Sequence, residues 1–123
     1  MINKEDANIL IVDDIEDNRY TLERRLKRDG YKNIFLAEGG KTALDMAVDN
    51  KFDLILLDLM MPDMSGLEVL KHLKGDPLQR SIPVIMVTAS DEVETAAECI
   101  INGADDFITK PFNGTLLKAR VGA

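Results

Sequence analysis

The chain has 123 residues, of which 46% are hydrophobic and 30% charged, so we expect one globular domain with a core of its own. Its formal net charge of −7 argues against direct nucleic-acid binding, and no apolar run is long enough to cross a membrane. The N-terminus lacks a signal-peptide pattern and Cys99 is the single cysteine, which together predict a cytoplasmic protein without internal disulfides.

Short apolar runs alternate with helical stripes along the whole chain. The five predicted strands cover, in chain order, residues 8–12, 33–37, 54–58, 83–88 and 107–109. A helix is predicted after each strand, over residues 15–29, 41–48, 67–74, 93–101 and 113–121. Gly30, Gly75 and Gly103 follow three of these helices as stop signals.

Each predicted helix carries apolar residues that we expect to pack on a sheet. They are Ile15, Leu22 and Leu26 in the first helix, Ala43, Leu44, Ala47 and Val48 in the second, Leu67, Leu70 and Leu73 in the third, Val93, Ala96, Ala97, Ile100 and Ile101 in the fourth, and Leu116, Leu117 and Val121 in the last.

Regular alternation of strands and helices with short connections predicts an α/β domain with a parallel sheet and helices on both faces. In such sheets the functional crevice lies beyond the carboxyl ends of the strands. The polar residues at these ends are Asp13, Asp14, Asp58, Thr88 and Lys110. All five are therefore expected on one rim of the sheet.

Asp13, Asp14 and Asp58 would bring three carboxylates together there, and we refer to them as the acidic cluster. Like charges at close range either raise a pKa or recruit a cation, and Mg²⁺ suits carboxylate ligands and phosphate oxygens. A carboxylate can also act as a nucleophile toward phosphorus. Lys110 and the Thr88 hydroxyl would then offset charge on the phosphoryl oxygens.

Each of these residues, taken alone, has a simpler explanation. The pair Asp13–Asp14 could cap the following helix, and Asp58 could begin a turn. Thr88 could be an ordinary strand residue, and Lys110 an ordinary surface lysine. Their joint placement at four strand ends favours a functional site.

Four segments carry a family resemblance: the acidic pair in VDD, Asp58 in LLDLMMPDMSG, Thr88 in VTAS and Lys110 in FITKPF. In this order and spacing they resemble the receiver domain of two-component response regulators over essentially the whole chain. The resemblance implies a flavodoxin-like doubly wound (βα)5 sandwich with strand order 2-1-3-4-5. It also implies a single receiver domain over residues 1–123.

The resemblance further implies that Asp58 accepts a phosphoryl group from a sensor histidine kinase or a histidine phosphotransfer protein. Mg²⁺, with Mn²⁺ as a substitute, would be held by the acidic cluster and by the backbone carbonyl of Met60. Thr88 and Lys110 would hold the phosphoryl group. The reaction would be self-catalysed phosphotransfer and autodephosphorylation, and not turnover of a free substrate.

Two residues match the positions that switch in this family. Thr88 would move toward the phosphoryl group while Phe107 turns inward, which would change the face made by helix 4, strand 5 and helix 5. That face would control a C-terminal effector domain or a downstream protein, or form a homodimer. Phe107 also has a plain interpretation as a core aromatic, and the Lys110–Pro111 bond is expected to be cis.

Met60 and Ser90 follow Asp58 and Thr88 by two residues each, at positions that tune how long the phosphoryl group survives in this family. Met60 cannot orient an attacking water through a polar side chain, so slow loss of the phosphoryl group is expected. The short last helix suggests a domain taken from a longer regulator, although a complete single-domain regulator would look the same.

Three other functions remain to be weighed. A phosphatase of the haloacid dehalogenase type needs an acid two residues after its nucleophile, where this chain has Met60 after Asp58 and Ile15 after Asp13. A flavodoxin-like cofactor carrier is disfavoured because the acidic loop after strand 1 would repel phosphate. A receiver that is never phosphorylated is disfavoured because every expected site residue is present.

Overall fold

The apolar runs form one sheet of five parallel strands. The computed structural model describes residues 3–89 and 93–122. The strands are β1 (Asn8–Val12), β2 (Asn33–Ala37), β3 (Leu54–Asp58), β4 (Val84–Ala89) and β5 (Asp106–Lys110). Their order is β2-β1-β3-β4-β5, which confirms the predicted topology. Because β3 is central, Ile55 lies opposite Leu10 of β1 on one side and Val84 of β4 on the other.

Five helices connect the strands and cover both faces of the sheet. They are α1 (Glu16–Arg28), α2 (Gly40–Asp49), α3 (Gly66–Gly75), α4 (Val93–Ile101) and α5 (Gly114–Gly122). One apolar cluster contains residues of α2, α3 and α4, and a second contains residues of α1 and α5. The two helical layers therefore have separate cores. Among the described residues, no helix is both long and apolar enough to span a bilayer.

The central strand β3 contributes to both cores. All five of its residues are buried, with Ile55 and Leu57 in the first cluster and Leu54 and Leu56 in the second. This alternation follows from the two-residue period of a strand. Asp58, at the end of the same strand, is carried into a buried position by the apolar residues before it.

The predicted packing faces of α4, α2 and α5 were partly wrong. In α4, Ala96 and Cys99 are buried, whereas Ala97 is exposed and Ile101 is 85% exposed. Apolar residues occupy two neighbouring faces of this helix, and the face containing positions 96 and 99 packs on the sheet. Neighbouring residues diverge in the same way in α2, where Ala47 is buried but Val48 is exposed, and in α5, where Leu117 is buried but Leu116 is exposed.

Several predicted boundaries also change. Strand β4 begins at Val84 and not at Pro83. Strand β5 ends at Lys110, so Lys110 is part of the strand and does not lie after it as predicted. Helix α1 begins at Glu16, with Ile15 as an N-cap that is 51% exposed and not part of the core. The prediction for Ser90 lies outside the described residues.

Aspartates align the amino ends of two strand pairs, at the opposite edge of the sheet from Asp58. Asp53 accepts a 2.8 Å hydrogen bond from the Asn8 amide, while its own amide donates to the Asn8 carbonyl. Asp105 makes the same two contacts with Val84, also at 2.8 Å. Each carboxylate thus satisfies a strand's first amide, a role that the sequence analysis missed.

Candidate functional site

The strand order brings the predicted polar residues to one rim of the sheet. Asp13 directly follows β1, and Asp58 is the last residue of the neighbouring β3. Thr88 and Lys110 lie directly opposite Thr109 and Ala89, at the ends of the paired strands β4 and β5. A parallel sheet places all these carboxyl ends on the same side, as expected.

The acidic cluster forms as predicted. Carboxylate oxygens of Asp13, Asp14 and Asp58 all lie within 4.8 Å of one another. Asp13 is 1% exposed and Asp58 is 4% exposed, whereas Asp14 is exposed to solvent. The cluster therefore has two buried carboxylates and one that opens to water.

Lys110 reaches the two buried carboxylates from the edge strand β5. Its Nζ atom donates a 3.0 Å hydrogen bond to Oδ1 of Asp58 and lies 3.3 Å from Oδ2 of Asp13. One ammonium is thus in contact with two of the three carboxylates. The cluster keeps an excess of negative charge.

Burial and this excess of negative charge shift the pKa values of the site. Burial raises the pKa of Asp58 to about 6, and the charges of Asp13 and Asp14 add to the rise against the opposing effect of Lys110. Burial by itself would lower the pKa of Lys110, but its contacts with Asp58 and Asp13 raise that pKa above its ordinary value. At pH 7, Lys110 is therefore charged and Asp58 is largely ionised, although its midpoint lies much closer to neutral pH than that of an ordinary carboxyl group.

The two carboxylate oxygens of Asp13 have different surroundings. Its Oδ1 accepts a 2.9 Å hydrogen bond from the Ile15 amide and a longer contact from Asn18. Arg19 holds the backbone of the same residue by donating to its carbonyl at 2.8 Å. Oδ2 is buried and accepts no well-aligned hydrogen bond from the described residues, and its polar neighbour is the Lys110 ammonium at 3.3 Å. A buried carboxylate oxygen left in this state, in a cluster of excess negative charge, fits a ligand of a hard divalent cation.

The loop after Asp58 is closed tightly onto the acceptor strand. The Gly66 amide, at the start of α3, donates a 2.7 Å hydrogen bond to the Leu59 carbonyl. A Cβ atom at position 66 would overlap the Asp58 carbonyl and lie 2.9 Å from Cα of Leu59. Ser65 caps α3 by accepting a 3.2 Å hydrogen bond from the Glu68 amide. Helix α3 can approach Asp58 this closely only because residue 66 lacks a side chain.

Asp63, in the same loop, caps a different helix, and the sequence analysis missed this role. Its carboxylate accepts hydrogen bonds from the amides of Lys41 at 3.2 Å and Gly40 at 3.3 Å, at the start of α2. These contacts, the Lys41 amide first, hold the pKa of Asp63 below its usual range. The available signal was the Gly39–Gly40 pair, which gives α2 no capping side chain of its own.

The remaining predicted residues lie around the cluster. Thr88 is fully buried, and its hydroxyl donates to the Ala89 carbonyl at 3.1 Å. Phe107 is half-buried and packs against the first apolar cluster, and Met60 is 62% exposed in the loop after Asp58. The Lys110–Pro111 bond is cis, as the resemblance implied. The structure therefore brings Asp13, Asp14 and Asp58 close together with Lys110 in contact with two of them, while the Thr88 hydroxyl is bonded to the Ala89 carbonyl.

Chemically, the arrangement offers a buried carboxylate next to a fixed ammonium and a possible metal site. Such a carboxylate can attack an electrophilic centre while the two cations take up the charge that develops on the electrophile's oxygens. The excess negative charge would repel an anionic group unless a cation is present. The site is thus suited to phosphoryl chemistry, and its acidic cluster could hold a metal ion.

Comparison with known proteins identifies relatives that match most of the chain. Residues 9–122 match the family model described as the response regulator receiver domain. The chain is 46% identical over 115 residues to the response regulator PleD of Caulobacter vibrioides, covering 94% of this chain and 25% of PleD. It is 44% identical to the phosphate regulon transcriptional regulatory protein PhoB of Pseudomonas aeruginosa, covering 94% of this chain and 50% of PhoB. The chain thus spans a quarter to a half of these proteins.

Solved structures with the same fold give a consistent result. The chemotaxis protein CheY4 of Vibrio cholerae is 31% identical with a TM-score of 0.86, covering 94% of this chain and 96% of CheY4. The receiver domain of NtrX from Brucella abortus is 31% identical with a TM-score of 0.86, covering 94% of this chain and 95% of that domain.

The close approach at Gly66 predicts that Gly66→Ala will lower the free energy of unfolding by about 1–3 kcal/mol, because the added methyl group has no space beside Asp58. Gly75→Ala is the matched control in the same helix, where a Cβ would meet no atom within 4 Å. Urea unfolding of both variants measures the difference. Equal stability of the two variants would contradict the tight packing described here.

The raised pKa of Asp58 predicts that Asp58→Asn stabilises the metal-free protein at pH 7.5 by roughly 1–3 kcal/mol, because the native state then no longer holds a buried charge that it disfavours. Native Asp58 protonates as the pH falls below about 6. Unfolded Asp58 protonates only near its ordinary pKa, so the gain should shrink between these two values. Urea unfolding in EDTA across this range, with Asp45→Asn as an exposed control, tests the expectation. A gain that is independent of pH would refute it.

Proposed function

Because the chain belongs to the response regulator receiver domain family, whose members are phospho-accepting, we propose that Asp58 is its phospho-acceptor. The donor would be the phosphohistidine of a sensor kinase or of a phosphotransfer protein. The observation that supports this most strongly is the buried Asp58 carboxylate, hydrogen-bonded to Lys110 at 3.0 Å inside a cluster of three acids. Lys110 lies near both buried carboxylates, but it donates a hydrogen bond to Asp58, whereas its contact with Asp13 is a 3.3 Å ion pair.

The proposed step is an in-line transfer between two side chains. A carboxylate oxygen of Asp58 forms a bond to phosphorus, and the phosphorus–nitrogen bond to the donor imidazole breaks, with the electron pair returning to nitrogen. Asp13 is less suited to the attack because one of its oxygens is already bonded to the Ile15 amide. Asp14 is exposed, so water would compete for its carboxylate.

Mg²⁺ is the proposed cofactor, with Mn²⁺ as a substitute. The carboxylates of Asp13, Asp14 and Asp58 and the carbonyl of Met60 would hold it. Bound there, the ion would supply positive charge to the phosphoryl oxygens and relieve the repulsion among the acids. The buried Oδ2 of Asp13, which accepts no well-aligned hydrogen bond from the described residues, is the atom that most favours a metal.

Thr88 and Phe107 are the proposed switch. To bond the phosphoryl group, the Thr88 hydroxyl would give up its 3.1 Å bond to the Ala89 carbonyl, and the space beside it would accept Phe107. Shifting a population from 1:99 to 99:1 requires about 5.5 kcal/mol of differential interaction. Charge-assisted hydrogen bonds from Thr88 and Lys110, at roughly 1.5–3 kcal/mol each, are of the required size.

The switch would be read on the face made by α4, β5 and α5. Its two helices carry the exposed side chains of Ile100, Ile101 and Leu116, which suit contact with an effector domain, a downstream protein or a second receiver. The relatives PleD and PhoB are longer than this chain, which is consistent with an output segment outside it. Signalling would take place in the cytoplasm, and the domain itself would act as a phosphorylated switch and not as an enzyme on a free substrate.

Incubation with Mg²⁺ and acetyl phosphate should add one phosphoryl group to the wild-type protein, read as intact mass. The gain should vanish in Asp58→Asn, because the nucleophilic oxygen is lost, and without Mg²⁺, because the acids then repel the donor. Asp45→Asn, on the exposed surface of α2, is the control and should be phosphorylated like the wild type. No gain in the wild type, or a gain that persists in Asp58→Asn, would overturn the assignment.

Met60→Asn should shorten the life of the aspartyl phosphate several-fold, because an amide at this exposed position can orient an attacking water whereas a thioether cannot. Met60→Leu keeps the apolar character and should leave the lifetime unchanged. The decay of phosphorylated protein, followed by intact mass after removal of the donor, measures both. A lifetime in Met60→Asn equal to or longer than that of the wild type would contradict the proposed role.

A further inference from the structure

A second concave surface lies at the end of the sheet opposite Asp58. It is a groove of about 780 Å³ between the end of α2 with its loop to β3 and the loop from α3 to β4, and we call it the α2–α3 groove. This volume is in the range of binding clefts. Because the strands are parallel, the groove lies at their amino ends, and an occupant would not obstruct phosphoryl transfer at Asp58.

The floor of the groove is apolar, and two large apolar side chains are exposed beside it. Ala47, Phe52 and Ile82 are buried core residues that line it. Leu78 and Val48 also line it, and they are 89% and 75% exposed, respectively. Single exposed apolar residues are common, but two beside one groove with an apolar floor are typical of a surface that another molecule covers. The buried Gln79 adds an amide that can donate to or accept from a backbone.

The electrostatics of the groove indicate the sign of that molecule's charge. Asp49, Asp53 and Asp76 line the groove against the single ammonium of Lys51. The carbonyl end of α2 also points there, and the last turn of that helix contains no basic residue to balance its dipole. Two independent sources of negative potential therefore favour a cationic occupant.

The same charges disfavour the other candidate occupants. A second copy of this chain carries a net charge of −7, so pairing through this groove would bring acidic surfaces together. Nucleic acids and anionic lipid surfaces are repelled for the same reason. The occupant that fits both the apolar floor and the negative charge is therefore a positively charged protein segment with apolar side chains.

We propose that the α2–α3 groove docks a segment of a partner protein that presents one or two apolar side chains flanked by lysine or arginine. The apolar side chains enter between Leu78 and Val48 onto Phe52, while the flanking cations lie over Asp49 and Asp76. This site is independent of the phospho-acceptor and of the face made by α4, β5 and α5.

The probe is a short synthetic peptide with a Leu-Leu centre flanked by lysine and arginine. Its binding is measured from changes in the backbone amide NMR shifts of the full chain. Shifts should cluster around the groove and weaken as salt is added. Leu78→Ser should weaken binding about tenfold, since it removes one buried leucine contact. Ile101→Ser is the matched control, because Ile101 is equally apolar and 85% exposed on a different face.

Two altered peptides complete the test. Replacing both leucines by serine, or the basic residues by glutamate, should abolish the shifts. The proposal is overturned if the first peptide causes no shifts, if its shifts map outside the groove, or if Leu78→Ser and Ile101→Ser bind it equally. It is also overturned if sedimentation shows a dimer that Leu78→Ser dissolves, since the groove would then be a self-interface. Phosphorylation of Asp58 should be unchanged in Leu78→Ser, because the groove lies at the opposite end of the sheet from Asp58.

Discussion

The buried ion pair between Asp58 and Lys110 is the interaction on which the site depends. Lys110 extends from an edge strand to a carboxylate on the central strand, at 3.0 Å, and also lies 3.3 Å from Asp13. This ion pair does not neutralise the site, because three carboxylates share one ammonium. The fold thus holds negative charge where it is poorly solvated, and the pKa of Asp58 rises to about 6 as a result. A cation or a change of covalent state at Asp58 would alter this balance directly.

The loop from β3 to α3 connects Asp58 to the first turns of two helices, α2 and α3. Gly66 lets α3 begin in contact with the Asp58 backbone, and Asp63 supplies the hydrogen bonds that cap α2. Both contacts lie within eight residues of the acceptor along the chain. A displacement of this loop would therefore move the starts of α2 and α3 together. The α2–α3 groove lies at the far ends of these same two helices.

Much of the fold and of the acidic cluster could be predicted from the sequence, because both follow from simple periodicities. Fully apolar runs such as 54–57 mark buried parallel strands, and parallel strands bring their carboxyl ends to one rim. Helix faces were harder to predict where apolar residues occupy neighbouring positions, as at Ala47 and Val48 or Leu116 and Leu117. Only the tertiary contact decides which of two such neighbours is buried. The cap from Asp63 and the strand contacts of Asp53 and Asp105 join residues far apart in sequence. The Gly39–Gly40 pair indicates that α2 lacks a capping side chain of its own, but no local pattern identifies the distant aspartate that supplies the cap.

Burial, with the charges of Asp13 and Asp14, holds the pKa of Asp58 above its usual range, and a divalent cation bound at the acidic cluster should lower it. The most direct measurement is the carboxyl carbon shift of Asp58 followed by NMR across a pH titration, with and without Mg²⁺. We expect a midpoint near 6 in EDTA and a midpoint lowered by at least about one pH unit when Mg²⁺ saturates the site. An ordinary carboxyl midpoint without metal, or a raised midpoint that Mg²⁺ leaves unchanged, would contradict it.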